Sequence, residues 1–159
     1  MQSTSTRDVV TKTQGTQRSL RTLTLIILLL LAAQFLIGML VNLYVTTIPS
    51  HPGERAPEYF SGVVQAVAWA LVHAPLFLLL HAIMGLLLFL GSLVILGLAI
   101  SSRRRAWIIS SIFGLLGIMA AGFNGASFMN YGEPFSSLFM SMGFLMAVIP
   151  YMIGIYVTR

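Results

Sequence analysis

The chain contains no cysteine and very few charged side chains. The absence of cysteine excludes disulfides, thiol catalysis, zinc–thiolate sites, iron–sulfur clusters and covalently attached c-type haem. Only 8% of the 159 residues are charged, whereas soluble domains usually carry about a quarter. So few charges cannot cover the surface of a water-soluble protein, and the composition therefore indicates a single membrane-embedded domain.

Long apolar runs take the place of the missing charge, since 57% of the residues are hydrophobic. About 20 apolar residues suffice to cross the hydrocarbon layer as a helix. We therefore predict a four-span domain over residues 22–159, with spans at 22–46, 75–101, 107–128 and 135–157. Residues 1–21 are polar and are predicted to form a flexible cytoplasmic tail.

The segment 47–74 is predicted to be an outer loop with an interfacial stretch. Pro49, Pro52 and Pro57 interrupt any helix in its first half. Its second half is apolar, and Trp69 suits the level of the lipid headgroups. A second span before Pro75 would need a turn inside the membrane without polar residues to support it. We therefore place one interfacial segment here, followed by one span.

The predicted fold is all-α, an antiparallel four-helix transmembrane bundle. Its two halves resemble each other, because Gly38-x-x-x-Asn42 matches Ala120-x-x-x-Asn124 and Met84-Gly85 matches Met142-Gly143. Two repeated helical hairpins would account for this, although leucine and glycine are common enough in membrane helices to produce such a match by chance. The small residues Gly114, Gly117, Ala121 and Gly125 are predicted to serve packing inside the bundle; a dimerisation face is the alternative.

The charges fall on two sides of this topology. Eight of the nine cationic side chains lie on the side of the two termini and of Arg103–Arg105, and Arg55 alone lies opposite, together with Glu54, Glu58 and Glu133. The positive-inside rule then places both termini in the cytoplasm of a multi-pass protein of the cytoplasmic (cell inner) membrane. The basic excess thus reports topology and contact with the lipid bilayer, and predicts no binding to nucleic acid.

His81 is the one His, Asp, Glu, Lys or Arg inside the predicted spans. An ionisable side chain at this depth indicates function by default. A neutral imidazole there could bind haem b or a quinone. A structural hydrogen bond to Asn42 or Asn124 on a neighbouring helix is the alternative.

Other polar residues near the outer ends of the helices are predicted to line one pocket with His81. They are Gln34, Asn42, Tyr44, Asn124, Ser127, Asn130 and Tyr131. The alternative is that they only satisfy helix ends and one another. His51 and His73 are expected to be solvated or interfacial, and a metal site built from all three histidines would require the outer loop to fold back. We predict no metal site and no catalytic residue.

Three motifs carry a resemblance: Gln34-x-x-x-Gly38-Met-Leu-Val-Asn-Leu-Tyr44, Leu80-His81-x-x-x-Gly85 and Gly122-Phe-Asn-Gly-Ala-Ser-Phe128. The chain resembles small bacterial four-helix membrane proteins of unassigned function, and this resemblance implies no activity. More distantly it is similar to one four-helix half of the haem A synthase family, or to a b-type cytochrome bundle. That second resemblance implies haem held by histidines of different helices, but Phe139 occupies the repeat position of His81.

Three functions are consistent with these features. The first is a membrane protein without catalytic activity, acting as a small subunit or partner of a larger membrane complex or as a homo-oligomer. The second is an electron carrier that binds haem b or a quinone through His81. The third is an oligomeric small-solute transporter, for which four helices alone leave little room.

Overall fold

Residues 3–158 fold into five α-helices. In a computed structural model, which describes residues 3–158 and the side chains from residue 15 onward, these are α1 (Ser3–Tyr44), α2 (Tyr59–His73), α3 (Leu76–Ser102), α4 (Arg105–Tyr131) and α5 (Pro134–Val157). No strand occurs within residues 3–158, and the predicted all-α class is confirmed. Met1, Gln2, Arg159 and the side chains of Arg7 and Lys12, which belong to the predicted tail and basic face, lie outside this description.

Within the part of the chain that the structure describes, four helical segments are long and apolar enough to cross a membrane: Gly15–Tyr44, Leu76–Ser102, Arg105–Tyr131 and Pro134–Val157. The shortest has 24 residues, which corresponds to a length of about 36 Å against about 30 Å of hydrocarbon. This is the architecture of a multi-pass membrane protein. The 15-residue α2 is too short to span, and it lies inside the segment predicted to be the outer loop.

Local sequence sets the ends of these helices. The Glu58 carboxylate caps α2 by accepting from the backbone N–H groups of Phe60 and Ser61, at 3.2 and 2.5 Å. Pro75 separates α2 from α3. At the end of α4, Gly132 adopts the left-handed conformation with φ of 67°, and Pro134 begins α5 two residues later.

The first helix begins well before the predicted span 22–46. Residues 3–21, predicted to form a flexible tail, continue the helix of the first span. Elongating an existing helix fixes one residue per hydrogen bond, whereas starting a new one is costly. Leu20 is fully buried, so the packed part of α1 begins before the apolar run.

The spans pack as two hairpins. α4 packs most extensively on α5, α1 packs on α3, and the α3–α4 contact joins the two pairs, while α1 and α5 touch only lightly. One buried core cluster draws on every span through Leu31, Leu88, Ile118 and Ala147. The arrangement agrees with a bundle of two hairpins, and a duplicated origin for them stays a prediction.

Small residues make the closest helix contact. A Cβ atom added at Gly143 of α5 would lie 2.6 Å from the backbone nitrogen of Ala121 and 2.8 Å from the carbonyl oxygen of Gly117. Gly114 accommodates the ring of Tyr151 in the same interface. The prediction that this small-residue series serves packing within the bundle is therefore confirmed. By contrast, Gly97 on α3 has open space beside it.

Candidate functional site

Gln34 of α1 and His81 of α3 form a polar pair that joins these two helices. The amide nitrogen of Gln34 lies 3.1 Å from His81 Nε2 and 3.1 Å from the His81 carbonyl oxygen. The carbonyl oxygen can only accept, so the Gln34 atom that faces it must be the NH₂ donor. Nε2 of the ring then accepts as well, which assigns a neutral imidazole with its proton on Nδ1.

This pairing leaves one donor and one acceptor unused. His81 Nδ1 and Gln34 Oε1 are both buried, and neither has a hydrogen-bond partner. Leaving a buried polar group unpaired costs about 1–3 kcal/mol. A molecule that offers an acceptor to Nδ1–H and a donor to Oε1 would recover that cost.

Two glycines allow the pair to form. A Cβ atom at Gly38 would lie 3.1 Å from His81 Cε1 and 3.5 Å from Nδ1, and one at Gly85 would lie 3.5 Å from the amide nitrogen of Gln34. A larger side chain at Gly38 would press on the imidazole. The glycines of two motifs that were singled out in the sequence, Gln34-x-x-x-Gly38 and His81-x-x-x-Gly85, therefore flank the same contact.

The other predicted pocket residues of α1 lie elsewhere. Asn42 is exposed, and the structure shows no hydrogen bond between it and His81. The ring of Tyr44, also exposed, packs against Phe77 with 5.4 Å between ring centres. Both residues thus mark the outer end of the α1–α3 hairpin, beyond the Gln34–His81 pair.

Two α4 residues of the predicted pocket form hydrogen bonds within α4 or with the adjacent α5. The Asn124 amide donates to the carbonyl oxygen of Ala120 in its own helix at 2.8 Å. The Ser136 hydroxyl of α5 donates to Ser127 at 3.5 Å. Neither reaches His81, so the bond that we considered between His81 and Asn42 or Asn124 is replaced by the bond to Gln34.

Asn130 belongs to a second polar cluster, whose key residue is His51. His51 was expected to be solvated or interfacial, but only 7% of its surface is exposed. Its Nε2 lies 3.0 Å from Asn130 Oδ1, its Nδ1 lies 3.0 Å from the Pro49 carbonyl oxygen, and its ring stacks on Trp69 at 5.0 Å between centres. That expectation was wrong because the outer loop folds back over the end of α4.

Two hydrogen bonds to loop backbone groups hold the loop in this position. The N–H of Arg55 donates to the Asn130 carbonyl oxygen at 3.2 Å, and the Tyr131 hydroxyl donates to the Ala56 carbonyl oxygen at 3.0 Å. Gly53 has φ of 95° and lies directly against the Gly62 backbone of α2, where no Cβ would fit. Gly53 and Gly62 are the residues from which this close packing could have been suspected in the sequence. Their spacing alone does not show that they contact each other. We refer to residues 51–56 with α2 as the outer cap.

A third polar group lies in the core between α4 and α5 and was not predicted. The Ser110 hydroxyl donates to the carbonyl oxygen of Pro150, so it ties the two helices together at the interior proline of α5. Trp107, Ser111 and Tyr151 are fully buried beside it. Sequence reasoning did not select these residues because serine and tyrosine are ordinary components of membrane helices.

The structure therefore distributes the predicted site residues over separate contacts. Gln34 and His81 meet between α1 and α3, while Asn130 and Tyr131 hold the outer cap. His73 is exposed and joins neither group. Among the described residues, no three His, Asp or Glu side chains are placed to hold a metal ion. The Gln34–His81 pair is thus a hydrogen-bonding site with one free donor and one free acceptor.

Comparisons with protein-family models, with curated proteins and with solved structures found no match. The resemblances described for the sequence therefore stay expectations. Function has to be argued from the contacts of this chain alone.

Proposed function

We propose that this protein is a non-catalytic helical subunit, which associates with other proteins of the membrane in which it resides. The observation that supports this most is the position of His81. It is the one His, Asp, Glu, Lys or Arg in the stretches 22–44, 76–102, 106–131 and 134–157 of the four spans, and its Nε2 and carbonyl oxygen both bind Gln34. General acid–base chemistry needs a group that can exchange protons with a reacting molecule, whereas this imidazole links two helices.

Open small residues on the outer surface of the bundle support association with a partner. A Cβ atom at Gly97 on α3 or at Gly122 on α4 would meet nothing within 4 Å. Glycine weakens a helix unless a close contact makes use of it. In membranes such positions let the backbone of another helix approach closely.

Site-specific photocrosslinking in native membranes tests this proposal. A photoreactive residue at Leu93, which lies one turn from Gly97 and is exposed, should give one adduct of discrete size. Gly97→Leu should abolish that adduct without lowering the amount of folded protein, and Gly15→Leu, which alters an equally open glycine outside the apolar core of α1, is the matched control. An adduct unaffected by Gly97→Leu, or a smear of lipid adducts only, would contradict association through this face.

The unused atoms of the Gln34–His81 pair favour a second candidate, a quinone-binding protein. A quinone oxygen could accept from Nδ1–H of His81, and the hydroxyl of the reduced form could donate to Gln34 Oε1. Both atoms are buried and unpaired. Haem b fits this site less well, because an axial ligand needs a ring nitrogen with a free lone pair, whereas Nε2 accepts from Gln34 and Nδ1 carries the proton.

Chemical analysis of the purified protein separates these candidates. Solvent extraction should release quinone from the wild-type protein, less from Gln34→Leu and His81→Phe, and an unchanged amount from His73→Ala, whose imidazole is exposed. Equal amounts in all four proteins would refute the quinone site. Visible spectra before and after dithionite test haem directly, since a Soret band that His81→Phe removes would restore the haem hypothesis.

The orientation in the membrane is a further part of the proposal. Arg18 and Arg21 precede the apolar part of α1, and Arg103–Arg105 connect α3 to α4. In an antiparallel bundle these positions share one end, which the positive-inside rule assigns to the cytoplasm. We propose that both termini lie on the cytoplasmic side of the cytoplasmic membrane.

A further inference from the structure

The end of the bundle that carries Arg18 and Arg103–Arg105 has cations and no acidic side chain among the residues whose side chains the structure describes. Leu20 of α1, Ala99 of α3 and Trp107 of α4 belong to the same buried cluster, which places these arginines around one end of the core. Glu54, Glu58 and Glu133 lie at the ends of the spans that face away from it. Among the described residues, the guanidinium groups of these arginines make no ion pair and no hydrogen bond.

One face of α1 at this end forms a shallow groove. It is lined by Gly15, Arg18, Ser19, Thr22 and Leu23. The groove is open because nothing lies within 4 Å of a Cβ atom placed at Gly15. It therefore offers one guanidinium group and two hydroxyl groups that together can donate hydrogen bonds to an anion.

The same face becomes apolar further along the helix. Ile26 is 46% exposed and Leu29 is 71% exposed, and both follow Arg18, Ser19 and Thr22 at helical spacing. The distance along the axis from Thr22 to Ala32, which is also exposed, is about 15 Å at 1.5 Å per residue, and this matches one leaflet of a 30 Å hydrocarbon layer. A molecule on this face would meet donors at one end and apolar side chains over the length of an acyl chain.

We propose that this face of α1 binds an anionic glycerophospholipid. The phosphate accepts hydrogen bonds from Arg18, Ser19 and Thr22, and one acyl chain lies along Ile26 and Leu29. Charge complementarity selects an anionic headgroup over a zwitterionic one, because the unpaired arginines at this end raise the local concentration of anions. The interaction is independent of the proposed subunit function.

Native mass spectrometry after reconstitution tests the proposal. The protein is placed in nanodiscs of phosphatidylcholine with an equal amount of phosphatidylglycerol, and the lipids retained after transfer to detergent are counted. We expect phosphatidylglycerol to be retained preferentially. Loss of one cation near the surface corresponds to about a five-fold weaker affinity, so Arg18→Gln should lower retention by about that factor. Thr22→Val, which removes a hydroxyl group at constant shape, should lower it less.

Two controls make the result specific. Arg55→Gln removes a cation from the opposite end of the bundle and should leave retention unchanged. Inorganic phosphate at 10 mM, a concentration chosen to be well above that of the protein, should not displace the lipid, because phosphate lacks the acyl chain. Equal loss in Arg18→Gln and Arg55→Gln, equal retention of the two lipids, or displacement by phosphate would each overturn the proposal.

Discussion

Replacing Gly143 by alanine should separate α4 from α5. The added Cβ atom would lie 2.6 Å from Ala121 N, 2.8 Å from Gly117 O and 3.1 Å from Ala121 Cα. All three are backbone atoms, so no side chain can turn away to make room. To restore an ordinary contact of 3.4 Å, the helices must move apart locally by about 0.8 Å.

A matched control isolates the steric cost of the added methyl group. Overpacking a filled interior costs about 1–3 kcal/mol. Alanine also favours helix over glycine by up to about 1 kcal/mol, but Gly122→Ala shares this gain and adds its Cβ to open space. The difference in the free energy of unfolding between the two variants therefore isolates the steric cost, and we expect Gly143→Ala to be less stable by about 2 kcal/mol.

Equilibrium unfolding in mixed micelles with increasing SDS measures this difference. Helix content and the fluorescence of Trp69 and of the fully buried Trp107 report the transition. Equal stability of the two variants within about 0.5 kcal/mol, which is the spread expected for a neutral surface substitution, would refute the close α4–α5 contact.

Three further predictions concern the polar contacts and the topology. A double-mutant cycle with Gln34→Leu and His81→Phe should give a coupling energy of about 0.6–1.7 kcal/mol in the same assay, as for other hydrogen bonds between membrane helices, and additive effects would argue against the pair. His51→Ala should speed trypsin cleavage after Arg55 at least five-fold, because losing a buried hydrogen-bonded partner costs about 1–3 kcal/mol; His73→Ala should leave the rate unchanged, and equal rates in both variants would contradict the docked outer cap. A reporter enzyme fused to the carboxyl terminus should read as cytoplasmic, and a periplasmic signal would reverse the proposed orientation.

The sequence predicted much of the helical layout because that information is local. The prolines at 75 and 134 and the glycine at 132 stand where helices end or begin in the structure. The continuation of α1 back to Ser3 was not foreseen. A polar composition by itself predicts an unstructured segment. Here the adjacent membrane span is already helical, and a helix extends from such a nucleus more easily than it starts anew.

The sequence identified residues of the candidate site, but it did not show which of these residues bond to each other. Gln34 and His81 were both selected from the sequence, but the bond that joins them was not. Asn130 was selected as well, while its partner His51 was expected to be solvated or interfacial. A side chain finds its partner through the rotation and offset of two helices, and helices that are apolar on every side show no periodic pattern from which that rotation could be read.

By itself, the sequence determined that this protein has four apolar helices of membrane-spanning length and an excess of positive charge at one end, since run length and charge position are properties of the chain. Tertiary structure decided which residues meet: Gly143 with Gly117, Gln34 with His81, and His51 with Asn130. These contacts join residues between 26 and 79 positions apart in the chain. Their energy depends on distances of a few tenths of an ångström between backbones, which only the packed bundle fixes.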